Sequence, residues 1–314
     1  MAHETGTGKY EQLVARCKSF APVTTAVVHP CEQSALAGAA EAAAAGLITP
    51  IYVGPKARIT DIADKGGIDL GDAEIIDAPH SHAAAQQAVA LVREGRAELL
   101  MKGSLHTDEL LGAVVARESG LRTGRRISHV FIMDVPTYHK VLIVTDAAIN
   151  IAPSLEDKVD ICQNAVDLAV SLGLKQPKVA VLAAVETVTS KMPATLDAAA
   201  LCKMAERGQI KGALLDGPLA FDNAISRDAA RTKGIESDVA GDPDILLAPD
   251  LEAGNILAKL LSFLARADSA GLVLGARVPI ILTSRADSVR ARIASCAVAM
   301  LAAHARRKAA TVAS

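Results

Sequence analysis

The chain has 314 residues, room for about two domains at ~150 residues each. Hydrophobic residues make up 51% and charged residues 22%, which excludes a wholly disordered chain, and no apolar run reaches the ~18–20 residues that span a bilayer. Lysine and arginine number 33 against 35 acidic residues, so the net charge of −2 supplies no basic field for nucleic acid or anionic lipid.

In the first part of the chain, short apolar runs alternate with Ala-rich amphipathic stretches. Strands are predicted at Thr24–His29, Pro50–Gly54, Glu74–Asp77 and Glu98–Met101, with helices at about Glu32–Gly46, His82–Arg93 and Thr107–Arg117. The middle differs. Ile127–Pro136 and Val141–Thr145 are two strand-like runs separated by Thr137–Lys140, suited to an antiparallel excursion or to carrying the chain between domains. Lys178–Ala183, Gly212–Asp216, Asp244–Ala248 and Val278–Thr283 then read as buried strands, continuous in apolar character as in a parallel sheet covered on both faces. One long helix, about Ser288–Arg307, follows and is expected to fold back on the first domain, with Arg306, Arg307 and Lys308 suited to its C-terminus. Strand–helix alternation of this kind predicts an α/β architecture. The core must be Ala, Val, Leu and Ile, because the chain has no Trp, three Tyr and four Phe. Cys17, Cys31, Cys162, Cys202 and Cys296 show no CxxC spacing and behave as small buried hydrophobes. With no apolar stretch at the N-terminus, they point to a reducing compartment and a cytoplasmic location.

Small polar groups gather just after the predicted strands, where an open α/β sheet binds its ligands. They occur at Lys102–Thr107, at Thr145-Asp146 and Asn150, at Gly217–Asn223, at Pro249–Asn255 and at Thr283–Ser288. The last loop joins a hydroxyl, an always-charged guanidinium and capping residues at a helix start, a seat for phosphate or thiolate. The structural alternative is a cap by Asp287 or Ser288 and a surface ion pair for Arg285. Lys102 can hold a phosphate as a point charge or stand as a solvated lysine. Asp146 and Asp222 suit a base, an orienting group or a turn former, and Asn255 suits a helix start. His80-Ser81-His82 lacks the neighbours of a metal site and reads as a loop or helix start. Gly6-Thr7-Gly8-Lys9 lacks the spacing and preceding strand of a phosphate-binding loop, and no GxGxxG follows a strand. Arg122, Arg125 and Arg126 form a basic cluster, either a solvated turn or a contact for a nucleotide phosphate.

Taken together, the ordered motifs resemble the phosphate acetyltransferase and phosphate butyryltransferase family from about Cys17 to Ala303. The resemblance is carried by Met101-Lys102-Gly103, Ile127–Phe131, Thr145–Asn150, Pro177–Leu182, Asp216–Leu219, Pro249–Ile256 and Leu282–Ser288. It implies reversible transfer of a short acyl group between CoA and inorganic phosphate, with no metal and no cofactor. It implies a two-domain parallel-sheet α/β/α fold like that of the isocitrate and isopropylmalate dehydrogenases, with the active site in the interdomain cleft. The expected domains are 1–134 with 279–314, and an inserted 135–278. A homodimer acting on acyl-CoA and phosphate, away from nucleic acid and membranes, is expected. The resemblance carries catalysis to Ser284 and Arg285, with Asp287 as the candidate base. Lys102, Ser104, Thr107, Ser128, Asp146, Asn150, Asp222 and Asn255 are the candidate substrate-binding residues. Ser284 would donate to developing charge and Arg285 would hold phosphoryl oxygens or the thiolate.

Two departures stand out. Acetyl-specific members place a base aspartate six positions beyond that arginine, where this chain has Ala291. Asp287 is the nearest carboxylate; the alternatives are a helix-cap role for it and a thiol proton that leaves through water or phosphate. Gly112 stands where relatives often carry a basic residue, so the Arg122–Arg126 cluster would substitute in holding the nucleotide. Acetyl and butyryl suit an Ala, Val and Leu pocket equally. Two other functions compete: a metal- and nicotinamide-dependent dehydrogenase on the same fold, with Asp216, Asp222 and Asp250 as carboxylates, and a non-catalytic CoA-binding regulator.

Overall fold

The structure, a computed structural model, describes residues 8–283 and 287–313. In chain order its elements are α1 (Lys9–Cys17), β1 (Val23–Val28), α2 (Gln33–Ala44), β2 (Ile48–Gly54), α3 (Lys56–Gly66), β3 (Ile75–Asp77), α4 (Ser81–Arg93), β4 (Leu99–Lys102) and α5 (Thr107–Val114). They continue with β5 (Ser128–Asp134), β6 (Leu142–Thr145), α6 (Leu155–Ser171), β7 (Lys178–Leu182), α7 (Pro193–Glu206), β8 (Leu214–Leu219), α8 (Phe221–Ile225), α9 (Arg227–Thr232), β9 (Ile245–Leu247) and α10 (Leu251–Phe263). The chain ends with β10 (Asp268–Leu274), β11 (Ile280–Ile281) and α11 (Val289–Ala313).

The chain forms two compact units, a terminal unit of residues 10–125 with 270–314 and a central unit of residues 1–9 with 126–269. The division precedes β5, which pairs antiparallel with β6 and stays with it in the central unit.

In the terminal unit the strand order is β3-β2-β1-β4-β11-β10. All but β10 run parallel; β10 is antiparallel to β11. The parallel strands are apolar throughout because helices cover them. Val23, Ala26, Val27, Val28, Leu99 and Leu100 have no exposed surface. Helix α4 packs against β1, β2, β4 and α5, while α2 packs against α3 and α11. The chain runs outward from β1 to β3, then returns to β4 on the other side of β1. The carboxyl ends of β1 and β4 therefore flank a topological switch point, where ligands bind in such sheets.

In the central unit the order is β5-β6-β9-β7-β8, parallel from β6 to β8. Helix α6 starts with a capping box, in which the Ser154 hydroxyl accepts from Asp157 N while the Asp157 carboxylate accepts from Ser154 N. Helix α7 starts with Pro193, whose missing N–H would find no partner in a first turn.

Helix α11 runs past the expected end at Arg307. Arg307 pairs with Glu98, at the start of β4, and does not close the helix. His80 caps α4, its Nδ1 accepting from Ala83 N at 3.2 Å. No helix among the described residues is long and apolar enough to cross a membrane.

Candidate active site

In the terminal unit, β1, β2, β4 and β11 end on one edge. The loop after β4 is drawn tightly onto the end of β1. Gly103 N donates to Val28 O and Ser104 N to His29 O, both at 2.9 Å. A Cβ on Gly103 would lie 2.3 Å from Val28 O and 2.6 Å from His29 O, so only glycine fits this approach. The Ser104 hydroxyl donates to His29 O at 2.8 Å and accepts from Cys31 N at 3.1 Å, which makes it a staple between the β1 and β4 loops. Lys102 Nζ donates to Gly103 O and Leu105 O, both at 3.1 Å, and curls over its own loop. Thr107 is the first residue of α5 and half-buried.

Ser284 and Arg285 lie outside the described residues. Their neighbours locate where the chain enters and leaves them. Thr283, two residues beyond β11, is 8% exposed. On the other side, Ser288 Oγ accepts from Ala291 N at 3.1 Å, so Ser288 holds the cap of α11. Asp287, half-buried, is not the residue in that capping bond.

In the central unit, the amino end of β5 and the carboxyl ends of β6, β7, β8 and β9 share an edge. Four expected site residues belong to one network there. Asp146 is 3% exposed and Asn150 is 4% exposed. Asp146 Oδ1 accepts from Ala148 N at 2.9 Å and Ile149 N at 3.2 Å, and Oδ2 accepts from Asn150 N at 3.2 Å and from the Asn150 amide. That amide also donates to Ile127 O at 2.9 Å, while Asn150 Oδ1 accepts from Arg126 Nε at 2.8 Å. Ser128 is fully buried, its hydroxyl accepting from Asn164 Nδ2 at 2.9 Å. Asn255, on the second turn of α10, donates to Ala147 O at 2.9 Å. Asp250 is the capping residue of α10, accepting from Ala253 N at 2.8 Å. The carboxylate of Asp146 therefore shapes a rigid turn, and Ser128 and Asn255 hold its flanks.

Asp222 stands apart from that network. It is exposed, on the short helix α8, with Lys233 3.4 Å away; Lys233 also pairs with Glu186 at 3.2 Å. Asn223 beside it is fully buried and donates to Glu186 at 3.2 Å. In the Arg122–Arg126 cluster, Arg126 pairs with Asp157 at 3.1 Å and its backbone N–H donates to Asp160 at 2.8 Å.

Three residues of these edges lie outside the expected site set, His129 having been read as an ordinary histidine. Asn164 sits on the buried face of α6, where an amide among apolar neighbours was the available signal; it also donates to Arg126 O at 2.9 Å. His129 is 1% exposed on β5, and its Nδ1 has no hydrogen-bond partner among the described residues. Burial pushes its imidazole down to about 4, with the Asp146 carboxylate opposing. His29 follows β1 with φ of +51°, a left-handed conformation that disfavours every side chain but those of Asn and Asp.

A family model described as "Phosphate acetyl/butaryl transferase" matches residues 80–300. A phosphate acetyltransferase of Rhizobium meliloti is 66% identical over 305 residues, covering 97% of this chain and 96% of that relative. A phosphate butyryltransferase of Clostridium acetobutylicum is 41% identical over 294 residues, 94% of this chain and 98% of that relative. Among solved structures, a branched-chain phosphotransacylase from Enterococcus faecalis V583 superposes with a TM-score of 0.78 at 30% identity, over 90% of this chain and 99% of that one. A 4-hydroxythreonine-4-phosphate dehydrogenase from Burkholderia phymatum, 13% identical, shares the fold with a TM-score of 0.55 over 90% of this chain and 98% of that one. The strand order, the polar strand ends and these matches agree, and the chain belongs to the phosphate acetyl/butyryl transferase family.

Proposed function

We propose that this chain is a phosphate acyltransferase with acetyl as its preferred acyl group: acetyl-CoA and inorganic phosphate give acetyl phosphate and CoA, reversibly. The single observation that carries the acetyl preference is the 66% identity to a phosphate acetyltransferase along almost the whole chain, against 41% to a butyryltransferase.

A phosphate oxygen attacks the thioester carbonyl carbon and the C–S bond breaks. Ser284 donates to the charge that develops at the carbonyl, and Arg285 holds phosphoryl oxygens or the thiolate. In the reverse direction Asp287 takes the CoA thiol proton. Lys102 and Thr107 contribute to binding at the terminal-unit edge, where Ser104 keeps the loop in shape. Ser128, Asp146, Asn150 and Asn255 form the acyl-CoA-binding part of the central-unit edge, with Asp222 beyond their network. The substrates carry the reacting groups, so no metal or cofactor is needed. The protein is read as a cytoplasmic homodimer with no nucleic-acid or membrane partner.

The test is release of CoA thiol from acetyl-, propionyl- and butyryl-CoA, with and without phosphate. Phosphate-dependent release, fastest with acetyl-CoA, is the expected result. Release that ignores phosphate, or none from any of the three, defeats the reading. Asp287→Asn should lower kcat at least about tenfold with an unchanged melting temperature; full activity in that variant removes Asp287 from the mechanism.

A further inference from the structure

A cavity of about 420 Å³ opens in the central unit beside Lys178, the first residue of β7. It lies at the amino edge of the sheet, whereas Asp146 follows the carboxyl end of β6 on the other edge. The cavity is therefore no part of the network described above. Helix α9 and the loop after it, as far as Asp242, form most of its wall.

That wall is pinned in place. Ser226 caps α9, Ile235 N donates to Ala230 O at 3.0 Å, and Gly241 N donates to Ala224 O at 2.8 Å. Gly241 has φ of +79°, and a Cβ there would lie 2.5 Å from both Arg227 N and Arg227 Cγ. The loop closes against α9 because this residue is glycine.

The charge of Asp242 is already spent. Its carboxylate takes Lys178 at 2.7 Å, His139 at 2.9 Å, Lys140 at 3.1 Å and Arg227 at 3.3 Å. Burial favours its neutral form, yet hydrogen bonds from Lys178, Lys140 and His139 hold it well below the usual carboxylate range. Arg227 makes the longest of these pairs and is exposed. Arg231, one turn further along the same face of α9, pairs with the exposed Asp228. Exposed pairs of this kind are worth little, so both guanidiniums can turn to a ligand at small cost. Ser237 Oγ accepts from Val239 N at 3.0 Å and from Ala240 N at 3.1 Å, which leaves its hydrogen to donate.

Two guanidiniums, a hydroxyl and the Lys178 ammonium thus line one cavity, a donor set that suits the oxygens of a phosphoryl group. Asp238 belongs to the same lining and repels a bare anion, but a carboxylate accepts hydrogen bonds from sugar hydroxyls. Ala230, Ile235 and Ala240 add an apolar patch for a carbon face. We propose that this cavity binds a phosphate monoester of a polyol, with Arg227, Arg231 and Ser237 on the phosphoryl group and Asp238 on the hydroxyls. A sugar phosphate and a nucleotide share that chemistry, and the volume holds either. The site does not rest on the acyltransferase reading.

Calorimetric titration of the full chain in phosphate-free buffer tests it, with ribose 5-phosphate, AMP and methyl phosphate as probes. Ribose 5-phosphate and AMP should bind with Kd below about 1 mM, and methyl phosphate at least about tenfold more weakly. Tighter binding of AMP identifies a nucleotide as the ligand, and equal or tighter binding of ribose 5-phosphate identifies a sugar phosphate. Replacing Arg227 and Arg231 together by alanine should weaken both esters at least about tenfold. Asp238→Asn should abolish the preference over methyl phosphate. These side chains are exposed, so the variants should keep the wild-type melting temperature and the phosphate-dependent release of thiol from acetyl-CoA. Arg231→Glu alone gives a second reading of the same loss should the double variant unfold. Absence of binding by ribose 5-phosphate and AMP overturns the proposal. So does binding that the arginine variants retain, because the probe then sits elsewhere, and so does methyl phosphate binding as tightly as the larger esters. A protein without phosphate-dependent thiol release loses the acyltransferase reading and leaves this site standing, so the two fail separately.

Discussion

A Cβ placed on Gly254 would lie 2.2 Å from Asp146 O and 3.2 Å from Ala147 Cα. The second turn of α10 is thus pressed onto the backbone of the Asp146 turn, and there is no flexible side chain to yield. Gly254→Ala should cost about 1–3 kcal/mol in urea unfolding and lower activity by distorting the turn; an unchanged unfolding midpoint would mean that α10 shifts freely. His129 gives a pH-dependent counterpart. Its fold-imposed pKa of about 4 lies below the unfolded 6.5, so the folded state favours the neutral ring. Its contribution is fully present above pH 6.5 and lost as the pH falls toward 4. His129→Gln should flatten that part of the stability curve, and a variant with the wild-type acid dependence would assign the loss to other groups. At this scale the sequence was readable only in part. Asp146, Asn150 and Asn255 stood out as polar residues after apolar runs, and the structure joins them in one hydrogen-bonded turn. His29 also follows such a run, but it was read as the last residue of the strand itself. Asn164 was hidden because a helix pattern does not reveal which of its polar positions face inward.

Among the elements, the long apolar strands and helices α2, α4, α5 and α11 were legible from their periodicity, with ends shifted by a few residues, whereas α1, α3 and α6 to α10 carried no expectation. Strand β10 was not. It begins Asp268-Ser269-Ala270-Gly271, which reads as a turn, and only its Leu272 and Val273 pair with β11. Strand β11 is two residues long where six were expected, since only Ile280 and Ile281 find partners on β4 and β10. Helix α10 carries the clearest element-scale prediction. Ile256, Leu260, Phe263 and the adjoining Leu264 recur at helical spacing and are 65%, 46%, 77% and 79% exposed. An apolar face of that kind suits a second copy of the chain better than water. Replacing Phe263 and Leu264 together by glutamate should shift the sedimenting species toward monomer; a wild-type protein that sediments as a monomer contradicts the dimer.

For the molecule as a whole, composition excluded more than it assigned. The near-neutral charge and the scarcity of aromatic residues weighed against nucleic-acid binding, and the alternation of strands and helices gave the α/β class. A break in pattern near Asp134–Thr145 suggested a boundary there; the compact units divide before β5, at a position that depends on strand pairing no single segment reveals. The reaction itself was legible through the ordered set of motifs. No one loop carried it, because a hydroxyl and an arginine before a helix suit many anions.

The placement of β11 also sets a timetable. The edge that carries Lys102 and Ser104 is complete only when Ile280 and Ile281 have paired with β4, and these residues are made after the entire 126–269 segment. That segment is nearly contiguous in sequence and can assemble while the rest is still being synthesised. During translation β4 therefore waits with one side unpaired until residues 280 and 281 have been made. Nascent chains halted before residue 280 would expose the backbone N–H and C=O groups along the side of β4 that Ile280 and Ile281 cover in the finished sheet.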